Sequence, residues 1–165
     1  MSHAHVAPHA AIRVHVITCS DTRSLETDSS GQLAERLLRE AGHEVTGRHV
    51  VPDEPERIVA CLNGAVRDAG AQVVILNGGT GISRRDRTYD AVAGLLEKRI
   101  DGFGELFRLL SWNEVGAAAM LSRATAGLWD GRVLFSVPGS TGAVRLALEK
   151  LILPELVHVV REAAK

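Results

Sequence analysis

The chain has 165 residues, of which 45% are hydrophobic and 24% charged, and its formal net charge is −1 with histidine neutral. This length and balance predict one globular domain and give no electrostatic reason to expect binding to nucleic acid or to a membrane. No apolar run approaches the roughly 20 residues of a membrane-spanning helix, and the N-terminus does not resemble a signal peptide. Cys19 and Cys61 form no Cys-x-x-Cys motif, so we expect neither a zinc site nor a disulfide framework. These features favour a cytoplasmic enzyme or binding protein.

The first ten residues contain His3, His5 and His9. One interpretation is a metal-binding tail. The other, which we favour, is a frayed terminus, because short segments with few apolar anchors seldom become ordered. We therefore expect residues 1–10 to be disordered and residues 11–165 to form a single α/β domain.

Five short segments have the composition of strands. Branched and other apolar residues dominate them, and turn residues lie between them. They are residues 12–18, 43–51, 71–76, 124–128 and 132–137. The third is almost continuously apolar, which is typical of a strand covered on both faces. Asp130-Gly131 predicts a tight hairpin turn between the last two.

Helical patterns occupy most of the intervals. They cover residues 29–41, 53–68, a stretch from about 88, residues 104–121, 141–153 and a closing helix from 154. Ser29 or Ser30 is expected to cap the first helix, and Gly42 follows its end. This alternation of strands and helices predicts a three-layer α/β sandwich, with a mostly parallel sheet between helices on both faces.

Ligands bind to such sheets beyond the carboxyl ends of the strands. Four polar or glycine-rich segments fall at these ends, namely residues 18–23, 51–53, 77–86 and 138–140. We therefore expect the four segments to form one site.

The sharpest local signal is Gly78-Gly79-Thr80-Gly81, which follows the buried strand. Glycines permit positive φ angles and let backbone N–H groups approach a phosphate. Arg85 and its arginine neighbours come next, and a guanidinium group can bind two phosphate oxygens at once. The alternative is a glycine-rich turn with a solvated basic edge. The position after a buried strand favours phosphate binding.

Several polar residues at these strand ends have two interpretations. Asp86 is either a Mg²⁺ ligand beside phosphate or the partner of a neighbouring arginine. Asp53 is either a metal or nucleotide ligand or the cap of the following helix. Asp21 is a turn residue or a ligand contact, and Ser20 beside it can donate a hydrogen bond. Ser140 can cap its helix and also present N–H groups to a phosphate.

Other common site motifs are missing from the sequence. There is no Gly-x-Gly-x-x-Gly after the first strand, no Walker loop and no Gly-x-Ser-x-Gly elbow. These absences disfavour a dinucleotide-binding Rossmann site, a P-loop and an α/β-hydrolase.

Taken together, the strand-end motifs resemble the MoaB/Mog family of molybdenum cofactor biosynthesis proteins, and their details resemble the MoaB branch more than Mog. The resemblance extends from about residue 12 to residue 162. The segments that carry it are residues 18–23, 27–31, 51–53, 78–81 with 85–86, 102–108, 119–124 and 138–140.

This resemblance implies a molybdopterin-binding domain that assembles as a homo-oligomer, either a trimer or a hexamer. It also implies transfer of AMP from Mg-ATP to the terminal phosphate of molybdopterin, with Asp53 and Asp86 as catalytic residues and Mg²⁺ ligands. The alternative is a non-catalytic molybdopterin- or pterin-binding protein of the same pathway. The residues expected to bind molybdopterin and its phosphate are Ser20, Asp21, Gly78, Gly79, Thr80, Gly81, Arg85, Ser122, Arg123, Pro138, Gly139 and Ser140.

One further segment is more apolar than a surface helix requires. It contains Phe103, Leu106, Phe107, Leu110 and Trp112. These side chains either pack in the core or form a subunit interface.

Overall fold

The computed structural model describes residues 10–165. The prediction of a disordered tail concerns residues that, apart from Ala10, lie outside this range. Within it, six strands form one sheet in the order β2-β1-β3-β6-β5-β4. They are β1 (Arg13–Cys19), β2 (Glu44–Val51), β3 (Val73–Asn77), β4 (Lys98–Arg99), β5 (Thr125–Trp129) and β6 (Arg132–Val137).

The sheet is mostly parallel, as predicted. β1 pairs in parallel with β2 and β3, and β3 pairs in parallel with β6. β5 runs antiparallel to β6, and β4 antiparallel to β5. Asp130 and Gly131 have φ angles of 48° and 69°, which confirms the tight turn between β5 and β6. The strand β4 was not predicted, because two exposed residues carry no alternating pattern.

The helices confirm most of the predicted positions. They are α1 (Ser29–Glu40), α2 (Pro55–Arg67), α3 (Thr88–Leu95), α4 (Asp101–Val115), α5 (Thr141–Ala147) and α6 (Leu153–Ala163). A 3₁₀ helix, Gly116–Leu121, continues α4, and a π-helical turn, Leu148–Ile152, joins α5 to α6. Pro154 follows that turn and has no N–H for a regular helical hydrogen bond. Among residues 10–165, no helix is long and apolar enough to cross a membrane.

Helices cover both faces of the sheet, which confirms the three layers. Successive side chains of a strand point to opposite faces. Val73 and Ile75 of β3 therefore lie in one core cluster with side chains of α1, α4, α5 and α6. Val74 and Leu76 lie in a second cluster with side chains of α2 and α3.

The cap of α1 differs from the prediction. Asp28, not Ser29 or Ser30, is the N-cap, and its Oδ1 accepts a hydrogen bond from the Gly31 N–H at 3.0 Å. The carboxylate is fully buried and also accepts hydrogen bonds from Thr18 and Arg48. Those partners hold Asp28 at the capping position, which leaves both serines inside the first turn.

Candidate functional site

The parallel strands bring four loops to one edge of the sheet. Cys19 of β1 is in register with Val51 of β2, and Asn77 of β3 is in register with Val137 of β6. The segments that follow these residues therefore start side by side. This arrangement matches the expectation that the four strand-end segments adjoin one another.

The loop after β3 depends on glycine at two successive positions. Gly78 and Gly79 have φ angles of 99° and 63°, a region in which residues with side chains are strained. A Cβ on Gly78 would also overlap the carbonyl oxygen of Cys19. Gly78 donates its N–H to the Val137 carbonyl at 3.0 Å, which ties the loop to the end of β6.

This loop borders a cavity of about 390 Å³. Eight residues predicted for the site line it, namely Gly79, Thr80, Gly81, Asp86, Ser122, Pro138, Gly139 and Ser140. Although the Thr80 residue is only 4% exposed, the glycines on either side of it are half-buried and reach the cavity. The glycine-rich segment is therefore not sealed inside the core.

The rest of the cavity wall was not identified from the sequence. It consists of Phe107, Ser111, Glu114, Val115, Ala118, Ala119, Leu121, Gly142 and Ala143. Phe107, Ser111 and Val115 recur at four-residue spacing, which places them on one face of α4. That spacing predicts a helix face but does not distinguish a face that lines a cavity from one that packs in the core.

Ser140 caps α5, as one of its interpretations predicted. Its Oγ accepts a hydrogen bond from the Ala143 N–H at 3.1 Å. Gly142, in the first turn of α5, lines the cavity. The positive end of a helix dipole therefore faces the same space as the glycine-rich loop.

Asp86 lies at the C-terminal side of the glycine-rich loop. Its Oδ2 accepts a hydrogen bond from the Ser83 N–H at 3.0 Å and another from the Ser83 hydroxyl. A Cβ on Gly81 would be 2.7 Å from the same oxygen, so the carboxylate packs directly against the loop. Among residues 10–165 no arginine is within ion-pair distance of Asp86, so the structure does not support a salt bridge to a neighbouring arginine.

Asp53 does not cap α2, whose N-cap is Glu54. Its Oδ1 instead accepts hydrogen bonds of 3.1 Å from the Arg87 N–H and the Thr88 hydroxyl, at the start of α3. The Asp53 residue is only 6% exposed and does not line the cavity. Burial raises the pKa of Asp53 above its usual value, and the charges of Asp86 and Asp21 raise it further.

Asp21 connects Asp53 to the basic segment. One Asp21 oxygen accepts the Asp53 N–H at 3.1 Å, and the other accepts two hydrogen bonds from the Arg85 guanidinium. The Arg85 contact lowers the pKa of Asp21 below its usual value. Neither Asp21 nor Arg85 lines the cavity. Ser20 is also outside it, and its Oγ accepts a hydrogen bond from the Arg23 N–H within its own loop.

Arg123 supports the glycine-rich loop from behind and does not line the cavity. Its guanidinium donates to the Gly81 carbonyl at 2.7 and 3.0 Å and to the Asp86 carbonyl at 3.2 Å. It also forms an ion pair with Asp90 at 3.1 Å. These contacts commit its donors to the protein, which the sequence could not show.

Comparison with known proteins gives the class of protein to which this fold and cavity belong. Residues 15–158 match the family described as "Probable molybdopterin binding domain", and the chain belongs to that family. Molybdenum cofactor biosynthesis protein B of Halalkalibacterium halodurans is 52% identical over 155 residues, which span 93% of this chain and 91% of that protein.

Solved structures agree. A crystal structure of molybdenum cofactor biosynthesis protein B is 51% identical with a TM-score of 0.91, covering 95% of this chain and 98% of that one. The Mog protein of Mycobacterium ulcerans is 28% identical with a TM-score of 0.82, covering 94% and 98%. These similarities confirm the resemblance to the MoaB/Mog family, and the higher identity is with the MoaB branch. The protein is therefore a molybdenum cofactor biosynthesis protein of this family.

Proposed function

We propose that this protein transfers AMP from Mg-ATP to the terminal phosphate of molybdopterin. The observation that carries the proposal is the position of two carboxylates, which both pack against the glycine-rich loop. Asp53 packs against Gly79 and Asp86 packs against Gly81, and both glycines open onto the 390 Å³ cavity. Two acidic groups beside a phosphate-binding loop suit a divalent cation that bridges them to phosphate oxygens.

The cavity offers backbone and hydroxyl donors for phosphate oxygens, and its charged lining residues are the carboxylates Asp86 and Glu114. We assign the backbone N–H groups of Gly79, Thr80 and Gly81 to the phosphate, together with the positive end of α5. The hydroxyls of Ser122 and Ser140 add two further polar groups to the wall. The backbone of Pro138 and Gly139 closes the side next to Gly78. Val115 and Leu121 line the cavity with exposed apolar surface, which a flat pterin ring needs.

Some residues predicted for the site lie outside the cavity. In this proposal they position the residues that line it. Gly78 and Arg123 fix the shape of the glycine-rich loop. Asp21 holds the Asp53 backbone. Ser20 orders the loop that carries Asp21, and Arg85 pairs with Asp21 at the surface, where it can also meet an incoming polyphosphate.

The two carboxylates fit a magnesium ion that is shared with substrate. Mg²⁺ is usually held by one or two carboxylates together with substrate phosphates and water. We assign Asp53 and Asp86 to this role because each carboxylate packs against a glycine of the same loop, with Asp86 lining the cavity. Among residues 10–165, no group of three or more acidic, histidine or cysteine side chains could hold a metal. When bound, the ion offsets phosphate charge and stabilises the departing pyrophosphate.

The reaction requires alignment more than proton transfer. An oxygen of the molybdopterin phosphate attacks the α-phosphorus of ATP, a new P–O bond forms, and the bond to the β-phosphate oxygen breaks to release pyrophosphate. A phosphate nucleophile is already ionised near neutral pH, so we assign no general base. The glycine-rich loop holds the two polyanions in line, which contributes to rate by orientation and electrostatic stabilisation.

The test is an assay for adenylylated molybdopterin with purified protein, Mg-ATP and molybdopterin. We expect product from the wild type and a loss of about 10²-fold or more in Asp86→Asn, the scale of removing one electrostatic stabiliser. Asp130→Asn is the matched control, because Asp130 lies in the hairpin turn at the opposite edge of the sheet. Wild-type protein that binds molybdopterin but makes no product would favour the non-catalytic alternative.

We also propose that the protein acts as a homo-oligomer. Phe103 and Phe107 are buried, so those two side chains belong to the core and not to an interface. The exposed apolar side chains of α4 and the following 3₁₀ helix that lie outside the 390 Å³ cavity are Leu106, Leu109, Trp112 and Met120. An exposed apolar patch of this kind is typical of a subunit interface.

A further inference from the structure

A second cavity, of about 250 Å³, lies on the other side of Ser122. Its walls come from α3, β4, α4 and the start of β5, and Ser122 lines both cavities. We call it the arginine cavity, because Arg99, Arg108 and Arg123 line it. The proposed AMP transfer shares Ser122 with this cavity but does not use Arg99 or Arg108.

Arg108 is a half-buried cation whose hydrogen-bonding capacity is largely unused. Its Nη1 makes long hydrogen bonds of 3.4 and 3.3 Å to the carbonyls of Ser122 and Ala124. No carboxylate among residues 10–165 is within ion-pair distance of it. The missing side chain of Gly104 makes room for the guanidinium, since a Cβ there would be 3.0 Å from Nη2. Partly burying a charge without a partner costs free energy, which an anion in the cavity would offset.

Arg99 adds a second cation, which is exposed at the rim of the cavity. The only side-chain hydrogen bond of Arg99 within residues 10–165 is a long one, 3.4 Å, from Nη2 to the Tyr89 hydroxyl. Both Arg99 and Arg123 lie near the Tyr89 ring, at 6.0 and 4.6 Å from its centroid. Arg123 is already bonded to the glycine-rich loop and to Asp90, so Arg99 and Arg108 are the available donors.

The charge balance of the cavity is positive. Three guanidinium groups line it, and Asp101 is the one carboxylate among its lining residues. Hydroxyl groups of Tyr89, Ser122 and Thr125 complete the polar wall. Guanidinium groups gathered in this way repel one another unless an anion lies between them.

We propose that the arginine cavity binds a phosphoryl group, either free or carried by a small phosphate ester, with Arg99 and Arg108 as its principal donors. The donors come from two separate elements, Arg99 from β4 and Arg108 from α4. Such a distribution suits a tetrahedral oxyanion better than a planar carboxylate. Each guanidinium can offer two parallel N–H groups to phosphate oxygens. This site is separate from the glycine-rich loop and does not depend on the proposed AMP transfer.

The test is a titration of the full chain with inorganic phosphate at constant ionic strength, followed residue by residue by ¹⁵N NMR. We expect saturable shifts of the Tyr89 and Thr125 amides, which report the arginine cavity, separately from those of Gly79 and Gly81. AMP is the second ligand: tighter binding than phosphate at Tyr89 and Thr125 identifies a phosphate ester, and equal binding identifies the free anion.

Two variants and a control locate the donors. Arg99→Gln should weaken phosphate binding at Tyr89 and Thr125 about tenfold, the loss expected for one charge-assisted hydrogen bond. Arg108→Lys keeps the positive charge but loses the two parallel N–H donors of the guanidinium. It should therefore also weaken phosphate binding. Lys98→Gln, one residue from Arg99 but outside the cavity, should bind as the wild type does. Shifts that do not saturate in the wild type, or that are unchanged in Arg99→Gln, would overturn the proposal.

Discussion

Oδ2 of Asp53 occupies the space that a side chain on Gly79 would need. A Cβ built on Gly79 would overlap both that oxygen and the Thr88 hydroxyl. Two of the positions that the sequence singled out, one after β2 and one after β3, are therefore in direct contact. The shape of the glycine-rich loop and the position of the buried carboxylate determine each other.

The first prediction follows from this contact. Gly79→Ala should lower the free energy of unfolding by about 2–4 kcal/mol, because it combines a strained φ angle with overpacking. Gly94→Ala is the control, since a Cβ there meets nothing within 4 Å and its φ is not positive. That control should be neutral or gain about 0.5–1 kcal/mol in a helix. Urea unfolding measures both, and equal stabilities would contradict the contact.

The second prediction concerns the pH dependence of stability. The pKa of Asp53 is raised in the folded state, so that state binds the proton more strongly than the unfolded chain does. Wild-type stability is therefore lost as the pH rises from the ordinary aspartate range through the raised pKa. Asp53→Asn lacks this loss, so its stability relative to wild type should increase over that window and then level off.

Asp21→Asn provides the opposite case. The pKa of Asp21 is lowered, so its carboxylate contributes stability above the ordinary aspartate pKa that is lost as the pH falls through the lowered value. Relative to wild type, Asp21→Asn should thus be least stable near neutral pH and should recover in acid. Unfolding at a series of pH values measures both trends. If the stability of each variant relative to wild type does not change with pH, the carboxylate environments are not as described.

The third prediction tests the cap of α1. Asp28→Ala leaves the Arg48 guanidinium without its buried partner and removes the Gly31 hydrogen bond. We expect a loss of about 3–5 kcal/mol, the scale of breaking a buried ion pair. Ser29→Ala is exposed and should change stability by less than about 0.5 kcal/mol. Thermal unfolding distinguishes the two variants. A larger loss of stability in Ser29→Ala than in Asp28→Ala would show that Ser29 caps the helix after all.

The fourth prediction tests assembly through α4. The wild type should sediment as an oligomer, and Leu109→Glu or Trp112→Glu should shift it toward the 17.7 kDa monomer. Burying a new carboxylate in an apolar interface is costly, which is the reason for the shift. Leu25→Glu, at another exposed leucine, should leave the assembly intact. Wild-type protein that is already monomeric would contradict the proposed interface.

The sequence predicted the parts of the fold and site that depend on local pattern and on topology. The apolar run before Gly78 identified a central strand, and parallel strands necessarily bring their following loops to one edge. Asp53 and Asp86 could therefore be placed near the same glycines without knowledge of any contact. The two-residue strand β4 was missed because its pairing comes from the tertiary structure alone.

The direction in which individual side chains point could not be predicted from the sequence. Arg123 follows Ser122 directly, yet the serine lines the 390 Å³ cavity and the arginine turns to the back of the loop. Phe107 and Val115 look like ordinary core positions of a helix until the neighbouring loops define a cavity. Asp28 displaced the expected serine cap because Thr18 and Arg48, distant in sequence, bind it.

The strand β6 is the last of the six to be synthesised, yet it pairs with β3 in the middle of the sheet. Until it emerges from the ribosome, the growing chain exposes β3 as an open edge, which is a hazard for association with other nascent chains. At about 5–20 residues per second, this interval lasts several seconds. Because Gly78 is tied to Val137 of β6, and the residues after β6 line the 390 Å³ cavity, a stalled or truncated chain would lack that cavity.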